Sequence, residues 1–376
     1  MIKIKKQGFS LIELIVVIAI FAIIIGIPYK MFIKELKITM QEVGISKTSM
    51  QNIPSLEIIR KDIETAGYGL FRYDNNTSFS YQEAKSNTPS LYSFDVDTFN
   101  DAPNKEPRAI VGKRDTSKNN FSYLVLKATS FGQSKVANQW SYAYYDDTTN
   151  TVKINVWPNN NTANYNNLQK DSKVVVLKVG NKDNMKLKTN NNGEFYFVVN
   201  KTPTSTDNEI QDCLKDCSIK EKATYIIYGL ATKKVSPRAP FNRIDYFLDD
   251  SQNKPSECAE GTHILYRGIL DSDGNIQKSQ PILSCVADFQ VKFIMKRYGD
   301  TDDLTNYSSK IIREQLKEVK MYILMQNGVK DNNYSYDNDS VKVGDRIFKF
   351  TDMGIPNYKH YRWSVVEISA TPKNLE

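Results

Sequence analysis

The side chains that could carry chemistry are few and scattered in this 376-residue sequence. Its two histidines, His263 and His360, lie far apart, and no cysteine stands near either of them in a nucleophile–base pattern. The sequence contains no G-x-S-x-G, no Walker A and no H-E-x-x-H pattern. We therefore predict that the protein is not an enzyme and has no resident cofactor.

The four cysteines favour disulfides over a metal site. Cys258 and Cys285 flank a predicted β-hairpin and could staple it, whereas Cys213 and Cys217 could close a tight loop. We expect the pairs Cys213–Cys217 and Cys258–Cys285, although four cysteines allow three connectivities. A zinc site with four cysteine ligands is the alternative, but the usual C-x2-C pairs are absent.

Two acidic clusters offer the hard oxygen ligands that calcium prefers. One comprises Asp300, Asp302 and Asp303, and the other is the segment 271–275. The second cluster contains Asp-Gly and Gly-Asn, which are ordinary hairpin-turn dipeptides. Neither has the downstream Glu of an EF-hand. Calcium is therefore a candidate mainly at Asp300, Asp302 and Asp303, and we predict no other metal.

One apolar segment stands at the N-terminus. From Phe9 to Ile27 only Ser10 and Glu13 interrupt it, and as a helix it would be about 28 Å long, close to the thickness of a hydrocarbon core. Lysines at positions 3, 5 and 6 precede it, which favours a cytoplasmic N-terminus with the rest of the chain outside. The four cysteines would then lie where disulfides persist.

Three interpretations of this segment compete. A secretory signal peptide would end in a small-x-small cleavage site, which is missing here. A plain membrane anchor fits the length but does not explain Glu13, because an acid in a membrane helix is costly and normally functional. The third interpretation gives Glu13 a partner.

The run Gly8-Phe9-Ser10-Leu11-Ile12-Glu13 resembles the class III signal of type IV pilins and pseudopilins. The resemblance implies that a prepilin peptidase cuts between Gly8 and Phe9 and that Phe9 is then N-methylated. It also implies that Glu13 pairs with the terminal amine of a neighbouring subunit during assembly. Such a pairing is physically sensible, since a carboxylate and an ammonium in low dielectric are each costly alone.

The helical pattern continues beyond the apolar segment. Leu36, Val43 and Met50 lie seven residues apart and form an apolar seam, and Pro54 predicts a break or kink. The following turns restore one apolar face with Leu56, Ile59, Ile63 and Ala66. Gly67 suits a left-handed C-cap, so a helix from Phe9 to Ala66 would be about 85 Å long.

From about residue 121 onward, short β-rich runs alternate with turn residues. No strand–helix–strand alternation is visible, so we predict antiparallel sheets, with one short helix around Ser309–Lys317. The predicted strands are Ser122–Thr129, Ser141–Tyr145, Val152–Trp157, Lys173–Val179, Glu194–Val199, Ala223–Gly229, Arg243–Leu248, His263–Arg267, Ile282–Met295, Val319–Gln326, Arg346–Phe350 and Tyr361–Ala370.

Two further regions resemble PilW-type minor pilins. The first is the helix end at 59–69, which includes Arg60 and Ala66-Gly67-Tyr68. The second comprises Ile264–Arg267, Val286–Phe293 and the strand that follows an acidic loop and helix. Pro372-Lys373 and the short acidic loop depart from the pattern, which leaves room for a J-type pseudopilin of type II secretion.

These resemblances imply an α+β type IV pilin fold, in which a long bent N-terminal helix packs on an antiparallel β-sheet head. The predicted parts are a cleaved leader (1–8), a transmembrane or filament-core helix (9–28), its amphipathic continuation (29–67) and the head (68–376). Within the head we expect a variable elaboration at 71–254 and a family-like part at 255–376.

The implied function is a minor pilin that helps to initiate, prime or cap a type IV pilus, and a head of about 300 residues suits a subunit used sparingly. Its partners would be other major and minor pilins, the prepilin peptidase, the inner membrane and the inner-membrane assembly platform. Its location would be the inner membrane and then the pilus tip. Loss of the three leader lysines lowers the net charge from +7 to +4, so we do not expect nucleic acid as a partner. A J-type pseudopilin and an adhesin or ligand-binding module at a pilus tip are the alternatives.

Overall fold

The computed structural model describes residues 11–72, 79–158, 167–180, 185–250 and 254–375. Three α-helices lie in these ranges: α1 (Leu11–Thr65), α2 (Ile210–Cys213) and α3 (Ser309–Gln315). The strands are β1 (Ile110–Arg114), β2 (Ser122–Ala128), β3 (Trp140–Asp146), β4 (Thr151–Ile154), β5 (Ser172–Val179), β6 (Met185–Lys188), β7 (Phe197–Val198), β8 (Tyr225–Thr232), β9 (Asn242–Asp249), β10 (His263–Leu270), β11 (Ile276–Met295), β12 (Asp300–Thr301), β13 (Leu316–Asn327), β14 (Ser340–Val343), β15 (Arg346–Lys349) and β16 (Arg362–Ala370).

Helix α1 contains two prolines, Pro28 and Pro54, and is continuous through both. The break predicted at Pro54 is therefore wrong, whereas the alternative, a kink, stays a prediction. Proline removes only one backbone donor from a helix. The turns after Pro54 regain that loss by burying Ile59 and Ile63 against the head. The helix ends at Thr65, and Gly67 adopts the predicted left-handed conformation with φ +91°.

The largest sheet has eight strands and is antiparallel throughout, which confirms the predicted sheet type. Seven strands follow the order β1-β2-β9-β10-β11-β13-β16, and the short β12 pairs with β11. The last turns of α1 pack on this sheet, where Ile59, Ile63 and Ala66 are fully buried. The main hydrophobic core lies between this helix end and the sheet.

A second antiparallel sheet of six strands has the order β4-β3-β8-β5-β6, with β7 paired to β5. One face of it forms a separate core with α2, which includes Val174, Val176, Ile210 and Ile227. The region 71–254 supplies this entire sheet and also β1, β2 and β9 of the main sheet. The region predicted as a variable elaboration therefore contributes three strands to the main sheet and also forms the second sheet.

The hairpin β14–β15 covers a third core near the end of the chain. Its centre is aromatic: Phe350 stacks on Tyr358 at 4.8 Å between ring centroids and also contacts Trp363. The predicted strand at Arg346–Phe350 corresponds to β15. Strands β1, β6, β12 and β14 have no counterpart among the predicted strands, and the predicted strand Glu194–Val199 shrinks to the two residues of β7.

Candidate functional site

The N-terminal half of α1 is an apolar helix that contributes to none of the three hydrophobic cores of the described chain. Every residue from Leu11 to Phe21 is exposed, including Leu11 at 78% and Ile18 at 60%. Exposed apolar side chains continue at Ile24 and Phe32. Burying such a surface is worth about 25 cal/mol per Å2, so this half of α1 has a strong drive to associate with an apolar environment.

Glu13 lies in the first turn of α1 and its side chain is exposed among these apolar residues. The predicted processing pair, Gly8 and Phe9, lies outside the described residues, so cleavage and methylation there stay predictions. The pairing of Glu13 with a neighbouring amine also stays a prediction.

The C-terminal half of α1 is fixed to the head by a buried ion pair. The carboxylate of Asp62 accepts hydrogen bonds from Arg267 Nε at 2.5 Å and from the hydroxyl of Tyr246 at 2.6 Å. Asp62 and Arg267 are only 13% and 12% exposed. Burial of Tyr246, aided by the Asp62 charge, raises the pKa of its hydroxyl well above the usual value, so this hydroxyl stays a donor. We name these three residues the helix latch.

The end of α1 is also capped by a segment from far downstream. Asn374 Nδ2 donates to the carbonyls of Glu64 and Thr65, each at 3.2 Å, and the Lys373 amide donates to the carbonyl of Glu64 at 3.0 Å. The Lys373 ammonium also pairs with the Glu64 carboxylate at 2.5 Å. The last carbonyls of a helix have no partner within it, so the segment 373–374 satisfies groups that would otherwise need water.

The latch brings together two segments that were compared with minor pilins on their sequence alone. Asp62 lies in the segment 59–69 and Arg267 in the segment Ile264–Arg267, and neither residue was predicted to have a role. Their separation of 205 residues explains this omission, because no local periodicity links them. The available signal for the latch was Asp62 itself, which is a charged residue on a helix turn that also carries core-facing side chains.

A buried ionic cluster lies beneath the same helix end and was also missed. Lys127 is 0% exposed and its ammonium lies 2.7 Å from Glu83 and 2.6 Å from Asp101. Arg108 pairs with Asp101 at 2.6 Å. The backbone carbonyl of Lys127 accepts a hydrogen bond from Gly67 at 2.9 Å, which connects this cluster to α1. Because buried charges are tolerable only when paired, the cluster makes this part of the head intolerant of single charge changes.

The cysteines divide into one disulfide and two free thiols. Cys258 and Cys285 are bonded, with their Cα atoms 4.9 Å apart, as predicted. The expected second disulfide is not formed: Cys213 is a buried free thiol at the end of α2, and Cys217 is a half-buried one. Both pack against the core of the second sheet, where a small apolar side chain is sufficient.

Asp302, Asp303 and Asp271, three of the acidic candidates for calcium, already have partners within the protein. Asp302 pairs with Arg114 at 2.5 Å, and Asp303 accepts a hydrogen bond from the Thr305 amide at 2.8 Å. Asp300 begins β12. In the other cluster, Asp271 accepts bonds from the backbone amides of the turn that it begins. Across the described ranges, no three His, Cys, Asp or Glu side chains are grouped as a metal site.

Comparison with known families identifies the N-terminal segment. Residues 3–27 match the family model described as the prokaryotic N-terminal methylation motif. No curated protein and no solved structure matches the chain significantly. Within the described part of the chain, no helix meets the combined length and hydropathy criterion for a membrane span. The chain thus carries the class III signal motif of type IV pilin-like proteins, followed by an antiparallel β-rich head.

Proposed function

We propose that this protein is a non-enzymatic minor pilin that helps to initiate, prime or cap a type IV pilus. The observation that carries the proposal is the division of α1. Its first half coincides with the methylation motif and exposes apolar side chains throughout the stretch Leu11–Phe21. Its second half is fixed to the head by the helix latch and the downstream cap.

This division suits a subunit that moves between two apolar environments. In the membrane, the first half of α1 would be covered by lipid, and in a filament it would be covered by the equivalent helices of neighbours. Glu13 would set the axial register by pairing with the methylated amine of the next subunit, because leaving either charge unpaired in such a core costs several kcal/mol. The latch would transmit to the head any force that acts on α1 during filament assembly.

The size of the head supports a minor role. A head of about 300 residues is bulky for repeated packing along a thin filament. A subunit used once or a few times at the tip escapes this steric limit. A J-type pseudopilin of type II secretion shares the same assembly chemistry and is the second candidate; it predicts a short envelope-bound structure in place of a surface filament.

The test is mass spectrometry of filaments sheared from the cell surface. We expect a peptide that begins at N-methylated Phe9, at a small fraction of the most abundant pilin. Comparable abundance would make the protein a main structural subunit, and a processed protein confined to the envelope would favour the pseudopilin. An intact leader would overturn the assignment.

Variants of two glutamates on α1 sharpen this test. We expect Glu13→Gln to be processed normally but to be strongly depleted from sheared filaments, because the neighbour's amine loses its partner. Glu35→Gln is the matched control, since Glu35 is also exposed on α1 but lies beyond the apolar segment. Equal depletion of both variants would show that Glu13 has no special role in register.

A further inference from the structure

A row of aromatic side chains lies on the surface of the second sheet. Trp140, Tyr142 and Tyr144 alternate along β3, and Trp157 follows β4 and packs beside them. Tyr142 and Tyr144 are 36% and 41% exposed, and the two tryptophans are half-buried. We name these four residues the aromatic strip.

The strip lies on the face of β3 opposite to the second core. Ser141 and Ala143, which alternate with the aromatic residues, are buried at 1% and 0%. Ala143 belongs to the core that α2 covers. The usual arrangement of a surface strand is therefore inverted here, since the small side chains point inward and the large rings face solvent. None of the four rings belongs to the three cores of the described residues.

Polar contacts hold the strip in place. Trp157 Nε1 donates to the backbone carbonyl of Trp140 at 2.8 Å. The side chain of Asn167 accepts from the Trp157 amide at 2.9 Å and donates to the Trp157 carbonyl at 3.1 Å. The ring of Trp157 thus cannot turn away without losing its hydrogen bond to Trp140, and Asn167 fixes the backbone that carries this ring. A surface whose rings are fixed before binding loses little conformational entropy when a ligand arrives.

The rings form a connected but twisted series. Trp157 lies 4.7 Å from Trp140 and 6.0 Å from Tyr142, and Tyr142 lies 6.2 Å from Tyr144, all between centroids. Their planes are inclined to one another by 41–72°. Such a series can contact successive units of a twisted flexible chain, whereas a flat crystalline surface would require coplanar rings.

The charges beside the strip are satisfied within the protein. Lys153, which lies opposite Tyr144 in the β3–β4 pair, forms an ion pair with Asp146 at 2.6 Å. Lys222, which lies over the neighbouring Tyr145 ring, pairs with Asp147 at 2.5 Å. A strand of nucleic acid needs a basic groove along its phosphates as well as rings for its bases. The two lysines beside the strip, Lys153 and Lys222, are already paired with carboxylates. A surface of aromatic rings with paired charges beside it suits an uncharged ligand.

We propose that the aromatic strip binds a neutral oligosaccharide. The C–H faces of sugar rings are apolar and slightly positive, and they pack against the electron-rich faces of Trp and Tyr. Successive exposed rings on β3 are about 6.8 Å apart along the strand, so a chain of several sugar units contacts the whole strip. The proposal does not depend on filament assembly, because the strip belongs to the second sheet and α1 contributes nothing to it.

Tryptophan fluorescence of the full-length chain in mild detergent tests this directly. Two of the three tryptophans belong to the strip, and the third, Trp363, is buried in the third core as a constant background. The probes are hexamers of β-1,4-linked glucose, N-acetylglucosamine and xylose and of α-1,4-linked glucose, with a dT12 oligonucleotide as the anionic comparison. We expect at least one neutral hexamer to shift the emission saturably.

The variant Tyr142→Ser/Tyr144→Ser removes the two exposed rings and changes no residue of the three cores. We expect it to weaken binding of the hexamer at least tenfold. The control is Tyr298→Ser, which removes a ring near β12 that is more exposed than either strip tyrosine and should leave the affinity unchanged. Several outcomes would overturn the proposal: no response to any neutral hexamer, tighter binding of dT12, or binding that the two variants affect equally. Self-association of the chain that is lost in Tyr142→Ser/Tyr144→Ser, without glycan binding, would also overturn it by identifying a second copy as the occupant.

Discussion

Replacing Asp62 with Asn should loosen the attachment of α1 to the head. The substitution keeps the size of the side chain but removes the charge that faces Arg267 at 2.5 Å. Arg267 would then face uncharged groups, such as the side-chain oxygen of Gln280 at 2.8 Å. Removing one partner of a fully buried ion pair costs about 3–5 kcal/mol, and the slight exposure of this pair lowers our expectation to about 2–3 kcal/mol.

The measurement is a urea titration of the full-length chain in mild detergent, followed by near-ultraviolet circular dichroism of the head. At a slope of about 2 kcal/mol per M, the urea midpoint of Asp62→Asn should fall by about 1–1.5 M. Glu57→Gln is the matched control: it breaks the exposed Glu57–Arg60 pair one turn earlier on the same helix and should leave the midpoint unchanged.

A second substitution tests whether the pair itself is responsible. Adding Arg267→Gln to Asp62→Asn removes the unpaired buried charge and should recover part of the lost stability. If the two single effects simply add, the residues are not coupled. If Asp62→Asn behaves like the Glu57 control, the reasoning about the latch is refuted.

Three further predictions concern the head. Burial raises the pKa of Asp288 to about 6, from a usual value of 3.8, so the folded state holds this proton more tightly than the unfolded chain does. The stability that this group contributes is therefore present at low pH and is lost as the pH rises from about 4 to 6, by up to about 3 kcal/mol. Urea titrations of wild type and Asp288→Asn across this pH range isolate the contribution of Asp288. A difference between the two proteins that does not change with pH would contradict the prediction. Replacing Cys258 and Cys285 together by Ala should cost about 3–4 kcal/mol in non-reducing urea titrations, because the bond closes a loop with a sequence separation of 27, whereas Cys217→Ala should change little. Burial raises the pKa of Cys213 to about 11, so iodoacetamide at pH 8 should label this thiol only after unfolding. If the unfolded protein is labelled at Cys213 only after a reductant is added, Cys213 is instead part of a disulfide.

Local patterns were sufficient for most of the strands. The run Asn242–Asp249 is rich in β-forming residues and bounded by turn residues, and the predicted strand lies within β9. Strand β6 has the sequence Met-Lys-Leu-Lys and lies at a sheet edge, so its apolar content is too low to indicate a strand. Strand β14 failed for a similar reason, since it is four residues long and pairs only with β15.

Features that depend on which face of a strand is buried could not be predicted. The alternation Trp-Ser-Tyr-Ala-Tyr in β3 indicates a strand, and ordinary burial preferences would place its aromatic residues inside. In the structure the small residues of β3 are buried and these aromatic residues lie on the opposite face. The helix latch could not be predicted for another reason: Asp62 and Arg267 are 205 residues apart in the sequence and meet only through the tertiary fold.

The cap on α1 also determines when the helix can be completed. Lys373 and Asn374 are synthesised about 310 residues after the carbonyls of Glu64 and Thr65 that they satisfy. Contacts of such long sequence separation form late, because the intervening chain must first be ordered. During synthesis α1 therefore emerges first with its last carbonyls uncapped, and the cap can form only when the segment after β16 is in place. The junction between α1 and the head is thus one of the last parts of the protein to form, and a chain that is still folding holds its helix less firmly than a finished one.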